Sequence, residues 1–299
     1  MTTAGLLTVR AALSGDRLTL IDVDLRRPSV AKLFIGQSPE AVVRTVPCLY
    51  TICAHAQRAT AQAALATAAG EALQAADDAT LWIEMLHENL WRLLLDWPPA
   101  LGLPPAQEAF VAWRATRHGG SCTDATSRLL TDVLDGLAER CLARLVDRND
   151  DMPCGPALPT PEEWLAGWQR YSDFMPAISG PPSIRAAYRG RIAEVRHATG
   201  ALAAGAPFPL AAAGGDGWGV AQTVTARGVL THAVRLEGRT VTRYRVAAPT
   251  DVFFADAGAL SGLLAGGRFA SSDEAKRAIH LAVLALDPCI PHVLEVNDA

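Results

Sequence analysis

The sequence predicts an α+β, predominantly helical protein. Two stretches, one near each end, alternate in the manner of β-hairpins, and the residues between them carry apolar side chains at helical spacing. At 299 residues, half of them hydrophobic, the chain is long enough to bury a large core.

LLTVRAALSGDRLTLIDVD, residues 6–24, places Ser14-Gly15-Asp16 between two β-rich runs, which is the composition of a hairpin turn. From Cys53 to Ala76 the chain is alanine-rich, with one glycine and no proline, and 81–96 follows with helical periodicity; Asp77 and Asp78 separate the two helices. Further helices are expected at about 105–117, 124–148 and 161–171. Thr160 serves the last as N-cap and Pro161 as its first residue. The helical middle is thus about 53–171. GALAAGAPFPLAAAGGDG, within about 199–217, is low in complexity and reads as a linker. RGVLTHAVRLEGRTVTRYRVAAP alternates around Glu237-Gly238 as a second hairpin, and a final helix is expected at about 272–285.

Composition excludes several functions. The net charge of -4 gives no electrostatic basis for binding nucleic acid. The most apolar run, LWIEMLHENLWRLLLDWPPALGLP, is interrupted by Glu84, Glu88, Arg92 and Asp96, so no membrane insertion is expected. The N-terminus lacks the basic and apolar regions of a secretory signal, and six irregularly spaced cysteines do not form a disulfide framework. A cytoplasmic protein with reduced thiols is expected.

Two segments hold metal-ligand residue types: PCLYTICAHAQ, with Cys48, Cys53 and His55, and DPCIPH, with Cys289 and His292. Thiolate with imidazole suits zinc, iron or nickel. Either segment alone is ordinary, because free cysteine often packs as a small hydrophobe. Cys122, Cys141 and Cys154 have no histidine at ligand spacing.

In order along the chain, these features resemble the large subunit of nickel-iron hydrogenases. In that family Cys-x-x-Cys near the start and Asp-Pro-Cys-x-x-Cys near the end hold nickel and an Fe(CN)2(CO) unit. Here they become Tyr50-Thr51-Ile52-Cys53 and Cys289-Ile290-Pro291-His292. Arg227-Gly228-Val229-Leu230-Thr231-His232 is similar to the family's Pro-Arg-Gly-x-Leu-x-His, with Ala226 in place of proline, and Pro249-Thr250 matches its Pro-Ser/Thr pair. LRRPSVAKLFIGQSPEAVV is a looser match. The resemblance implies a single large-subunit-like domain over 1–299, with N- and C-terminal β-hairpins. It also implies that Arg227 and Thr250 donate hydrogen bonds to iron-bound cyanide while Leu230 faces the carbonyl.

The departures matter as much. Tyr50 stands at a terminal nickel ligand and His292 at a bridging one, and a phenol is a poor ligand for a soft nickel site. Ala4 replaces a glutamate, Glu295 a histidine, and Gln57 the usual histidine four residues after the bridging cysteine. The chain is also shorter than the catalytic subunits. A relative that keeps the iron pocket and loses nickel ligands resembles the hydrogenase expression/formation proteins of the HupK and HoxV type, and LHENLWRLLLDWP adds to that likeness.

The expectation is a non-enzymatic scaffold that holds Fe(CN)2(CO) transiently through Cys53, Cys289 and His292, without nickel. The resemblance implies the hydrogenase large subunit and maturation chaperones as partners. Replacing one thiolate by neutral imidazole lowers the formal charge of the iron site from about -2 to about -1, and without the full bridging set the holding is expected to be reversible. Two alternatives stand beside this: a metal-free interaction module, and a zinc-dependent hydrolase.

Overall fold

The computed structural model describes residues 5–145, 159–171, 173–176, 178 and 180–298. Strands β1 (Leu6–Ser14) and β2 (Arg17–Arg26) form the first hairpin, with Ser14 opposite Arg17 across a two-residue turn. Gly15 sits there at φ +61°, a conformation that favours glycine. Leu7, Val9, Ala11 and Leu13 alternate inward along β1, as a half-buried strand requires.

Helix α1 (Pro39–Leu49) follows, started by Ser38, whose hydroxyl accepts from the Ala41 amide, and by Pro39 at the first turn. Next come α2 (Ala54–Ala69) and α3 (Asp78–Trp91); a π-helical turn over Arg92–Asp96 continues α3 into α4 (Trp97–Ala100). Then come α5 (Gln107–Thr116), α6 (Cys122–Leu129), α7 (Asp135–Leu142) and α8 (Pro161–Arg170). A second π turn, Leu130–Leu134, continues α6 into α7, so the helix expected at 124–148 forms as one unbroken helical run from 122 to 142; the residues after 145 lie outside those described until 159. Thr160 caps α8 reciprocally with Glu163. Helix α9 (Ile184–Ala203) escapes the periodicity argument because Arg191 occupies its buried stripe among Tyr188, Ile192 and Val195.

Four antiparallel strands form the second sheet, in the order β3 (Leu210–Gly215), β4 (Trp218–Thr225), β5 (Gly228–Glu237) and β6 (Thr240–Ala247). The linker expected at about 199–217 is therefore largely regular structure. Its first residues close α9, and Leu210–Gly215 pairs residue by residue with β4 as an edge strand. Small side chains there signify close packing rather than flexibility. Helices α10 (Pro249–Phe253), α11 (Gly258–Leu264) and α12 (Ser272–Leu286) then lead to β7 (His292–Asp298).

Strand β7 runs parallel to β1 on the side opposite β2, with Leu7 opposite His292. The two ends of the described chain therefore meet in one sheet, and β1 becomes its central strand. Among the described residues, no helix is long and apolar enough to cross a membrane.

The alanines of α2 have a specific use. A Cβ on Gly219 of β4 would lie 2.0 Å from the Ala64 carbonyl oxygen and 2.8 Å from the Ala68 amide nitrogen. The helix backbone rests directly on the sheet and cannot step back without unpacking. We expect Gly219→Ala to destabilise the fold by about 2–3 kcal/mol, read from urea unfolding, because overpacked backbone contacts relax poorly. Such a loss would tilt the helix that Cys53 immediately precedes.

Candidate functional site

Four connections converge where the two chain ends come together. Tyr50 ends α1, and Cys53 is the residue before α2. Arg227 lies in the β4–β5 turn, Thr250 begins α10, and Cys289 lies between α12 and β7. Loops placed by rigid elements are a usual setting for binding groups.

Cys289 and Thr250 form a closed pair. The Thr250 hydroxyl lies 3.3 Å from Cys289 Sγ and accepts from the Cys289 amide at 3.1 Å. Thr250 thereby fixes the thiol-bearing loop. Cys53 is held from the other side, 3.7 Å from the side-chain amide nitrogen of Gln57. Burial pushes the Cys53 thiol up to about 12, opposed by the nearby Arg227 guanidinium, and Cys289 is close enough to add to the rise. Cys53 is thus a thiol rather than a thiolate at neutral pH, and binding a metal requires expelling its proton.

Behind Gln57 runs a polar chain through the core. Gln57 Oε1 is 2.8 Å from His232 Nε2, and His232 Nδ1 is 2.7 Å from the Tyr244 hydroxyl. With the Gln57 amide nitrogen turned to Cys53, its oxygen accepts from Nε2, and Nδ1 accepts from Tyr244. Burial lowers His232 to about 3, so the ring is neutral and suits this arrangement. Gln57, which stands where the hydrogenase resemblance expects histidine, therefore has an orienting role here.

Arg227 is buried and three of its nitrogens have different fates. Nη2 donates to Glu88 at 2.9 Å, Nε lies 3.4 Å from Asp287 Oδ2, and Nη1 has no partner. An unpaired donor on a buried guanidinium is costly unless a ligand completes it. This orphaned donor fits an anionic acceptor such as bound cyanide. Leu230 is fully buried on β5 within the hydrophobic core.

Asp287 organises the surrounding charges. It stands at φ +48° after α12, 1 % exposed, and accepts from Arg92 Nε at 2.6 Å and Arg191 Nη2 at 2.9 Å. Arg227, Arg191 and Arg92 overcome its burial and hold the carboxyl below the usual carboxylate range. Arg191 continues to the Asn89 side-chain oxygen at 3.1 Å and the Ala226 carbonyl at 3.2 Å. The Asp-Pro-Cys loop, α3, α9 and the arginine turn are thereby tied into one cluster.

The sequence argument missed Glu84, Glu88 and Arg92 as site residues, although their signal was present. Residues 84, 88, 92 and 96 repeat at four-residue spacing, so they share one helix face. Charges that argue against a membrane span are the side chains that face this site. Glu84 accepts from the His55 and Ala56 amides, each at 2.9 Å, and so caps α2 beside Cys53.

Burial raises the Glu84 carboxyl from 4.5 to about 7, against the pull of the two amides. A folded value above the unfolded one stabilises fully below pH 4.5 and loses that contribution as pH rises through about 7. Wild-type stability is expected to fall by about 3 kcal/mol across that window from this group. Glu84→Gln should remove this slope, measured by urea unfolding at about pH 5 and pH 8.

Tyr50 is also buried. Desolvation raises its phenol to about 12 despite Arg27, whose guanidinium lies 5.8 Å from the ring centroid, while Cys289 and Cys53 add to the rise. A neutral phenol thus stands at the sequence position to which the resemblance assigns a nickel thiolate. Arg27 is itself anchored to Asp251 at 2.8 Å.

His292 is seated differently from the expectation that it joins Cys53 and Cys289. Its Nε2 lies 3.4 Å from His280 Nδ1 on α12, with Arg92 and Asp96 as charged neighbours. Pairing of His292 with Leu7 in the parallel sheet directs this placement. Among the described residues, no three His, Cys, Asp or Glu side chains form a group that could hold a metal. What converges is a pair of thiols with cationic and hydroxyl donors.

The remaining candidates lie apart. Cys48 is exposed, with its thiol 3.7 Å from the Arg44 carbonyl, and His55 is exposed at the start of α2. Cys122 and Cys141 are buried in helices. Glu295 pairs with Arg10 at 3.1 Å on the surface of β7. Ala4 and Cys154 lie outside the described residues.

The fold is that of nickel-iron hydrogenase large subunits. A nickel-iron-selenium hydrogenase variant from Desulfovibrio vulgaris Hildenborough superposes with a TM-score of 0.67 at 11 % identity, covering 96 % of this chain and 99 % of its own. The as-isolated oxidised enzyme from the same organism gives 0.65 at 12 % identity, over 92 % and 94 %. No family model matches the chain.

In sequence the chain is similar along nearly its whole length to curated hydrogenase expression/formation proteins. It is 29 % identical to HupK of Azotobacter vinelandii over 99 % of this chain and all of that protein. HupV of Azotobacter chroococcum is 28 % identical over 99 % and 100 %. HoxV of Cupriavidus necator is 26 % identical over 91 % and 92 %.

Proposed function

We propose that this chain is a hydrogenase assembly factor that holds the Fe(CN)2(CO) unit as cargo and passes it to a hydrogenase large subunit. The observation that carries this reading is the buried Arg227 with an unpaired Nη1, electrostatically coupled to Cys53. Cys53 and Cys289 are the thiols assigned to iron. As each Fe–S bond forms, the thiol proton leaves to solvent and iron remains ferrous, so no electron moves. The guanidinium offers a donor for cyanide, and Leu230 an apolar wall for carbon monoxide.

Tyr50 and His292, at positions where the resemblance expects thiolates, argue against nickel and against hydrogen turnover. With two thiolates the bound iron site carries a formal charge of about -2, which Arg227 and Arg27 offset. The names of its relatives support a role in hydrogenase formation. The receiving large subunit and maturation chaperones are the partners this reading requires, and the cytoplasm is the compartment it assigns. The zinc-hydrolase alternative needs three protein ligands and an open position; His292, seated against His280, does not supply the third.

The test is anoxic purification from cells that make the iron unit, followed by infrared spectroscopy. Cyanide and carbonyl stretching bands are expected to accompany the folded protein through gel filtration. Their absence from folded protein coexpressed with the maturation machinery would sink the reading.

A further inference from the structure

The recess that contains Cys53 has a free volume of only about 10 Å³, close to the space one water needs. An iron atom with three diatomic ligands cannot enter it as it stands. Beside it opens a far larger cavity of about 660 Å³. Glu84, Glu88 and Arg227 line both spaces and form their common wall.

That cavity is built between the start of α2, α3 and the turn after α5. Three buried nitrogens of its lining residues have no hydrogen-bond partner: Arg227 Nη1 and Nε, on a side chain 3 % exposed, and His87 Nε2. His87 Nδ1 is engaged with Glu88 Oε1 at 3.1 Å, and Glu88 in turn accepts from Arg227. Arg92 and Arg117 add positive charge to the lining, while the half-exposed Ile52 and Trp91 add apolar surface. Anionic ends and apolar faces together are the chemistry of a cyanide-bearing metal complex.

We infer that this cavity is a vestibule that takes an anionic cyano-iron complex by outer-sphere contacts before the thiols engage it. This rests on the holding function proposed above and adds the route. Arg227 is the residue that faces both stages. Movement of the shared wall, above all Glu84 at the cap of α2, opens the recess to the vestibule.

Hexacyanoferrate(II) is a suitable probe, because its iron is inert to substitution and it reports recognition without thiolate coordination. Isothermal titration of the full-length protein is expected to show saturable binding that weakens with salt. Cys53→Ala should leave this affinity within about two-fold, whereas Ile83→Trp, which fills the cavity, and Arg117→Glu, which reverses a lining charge, should each weaken it about ten-fold or more. Circular dichroism and thermal melts establish that each variant is folded. Absence of saturable binding, or wild-type affinity in both cavity variants, would overturn the vestibule. Infrared bands of the iron unit in protein that ignores hexacyanoferrate would overturn the route and leave the holding function standing. Hexacyanoferrate binding in protein that never acquires those bands would do the reverse.

Discussion

Replacing either Cys53 or Cys289 by alanine is expected to abolish the cyanide and carbonyl bands and hydrogenase maturation, while the fold survives. Both thiols sit in connections between elements, Cys53 just before α2 and Cys289 between α12 and β7. Loss of the Thr250 hydroxyl bond to Cys289 is worth about 1 kcal/mol, and truncation of a partly buried cysteine adds a similar amount. The functional loss is near complete because an iron unit with a single protein thiolate has nothing to close the chelate. Thermal melts beside the infrared spectra separate the two effects.

His292→Ala supplies the contrast. An iron-bound imidazole would make this variant as deficient as the cysteine variants; the contact of His292 with His280 implies that it keeps its bands. Persistence of the bands in either single cysteine variant would remove that thiol from the iron site, whereas absence of the bands from the wild-type protein would favour a metal-free interaction module. That module predicts intact maturation without Cys53 and Cys289.

Asp287→Ala is expected to carry the largest stability cost, about 3–5 kcal/mol, because it strands Arg92, Arg191 and Arg227 around an empty position. Breaking one side of a buried ionic cluster leaves uncompensated charge, which is worse than removing the whole cluster. Asp287→Asn should cost less, since asparagine accepts one of the hydrogen bonds and tolerates the left-handed backbone. The Asp287 carboxyl is held below its ordinary value, so its contribution is present above the unfolded value and is lost as pH falls through the folded one. Urea unfolding at neutral pH measures the cost. A change below about 1 kcal/mol for alanine would mean that water already satisfies the arginines.

The same variant separates fold from function. Asp287 touches no proposed iron ligand; it positions Arg227 and the loop before Cys289. Asp287→Asn that melts near wild type but shows shifted cyanide stretching frequencies is the signature of a positioning residue. A purely structural role would leave those frequencies alone.

Much of this was legible in the residues. Ser14-Gly15-Asp16 and Glu237-Gly238 mark their turns because few residues accept those backbone angles, and Thr160-Pro161 marks the start of α8 because capping is local. Local chemistry of this kind needs no partner elsewhere in the chain. Cys53, Arg227, Thr250 and Cys289 stood out as an ordered set only through their resemblance to the short motifs of the hydrogenase large subunit. The buried arginine of α9 and the small residues of β3 were not readable, because an arginine stripe and an Ala/Gly run acquire meaning only from what packs against them.

What the sequence by itself determined was the mainly helical α+β class, both hairpins and most helix starts. Only the tertiary structure decided that β7 joins β1, that Glu84, Glu88 and Arg92 turn from interruptions of an apolar helix into the wall of a site, and that His292 faces His280. The division is physical. Turns, caps and ligand types are set by bonds within a few residues, whereas the pairing of charges separated by more than a hundred positions, as for Arg227 with Glu88, exists only after the core has brought them together.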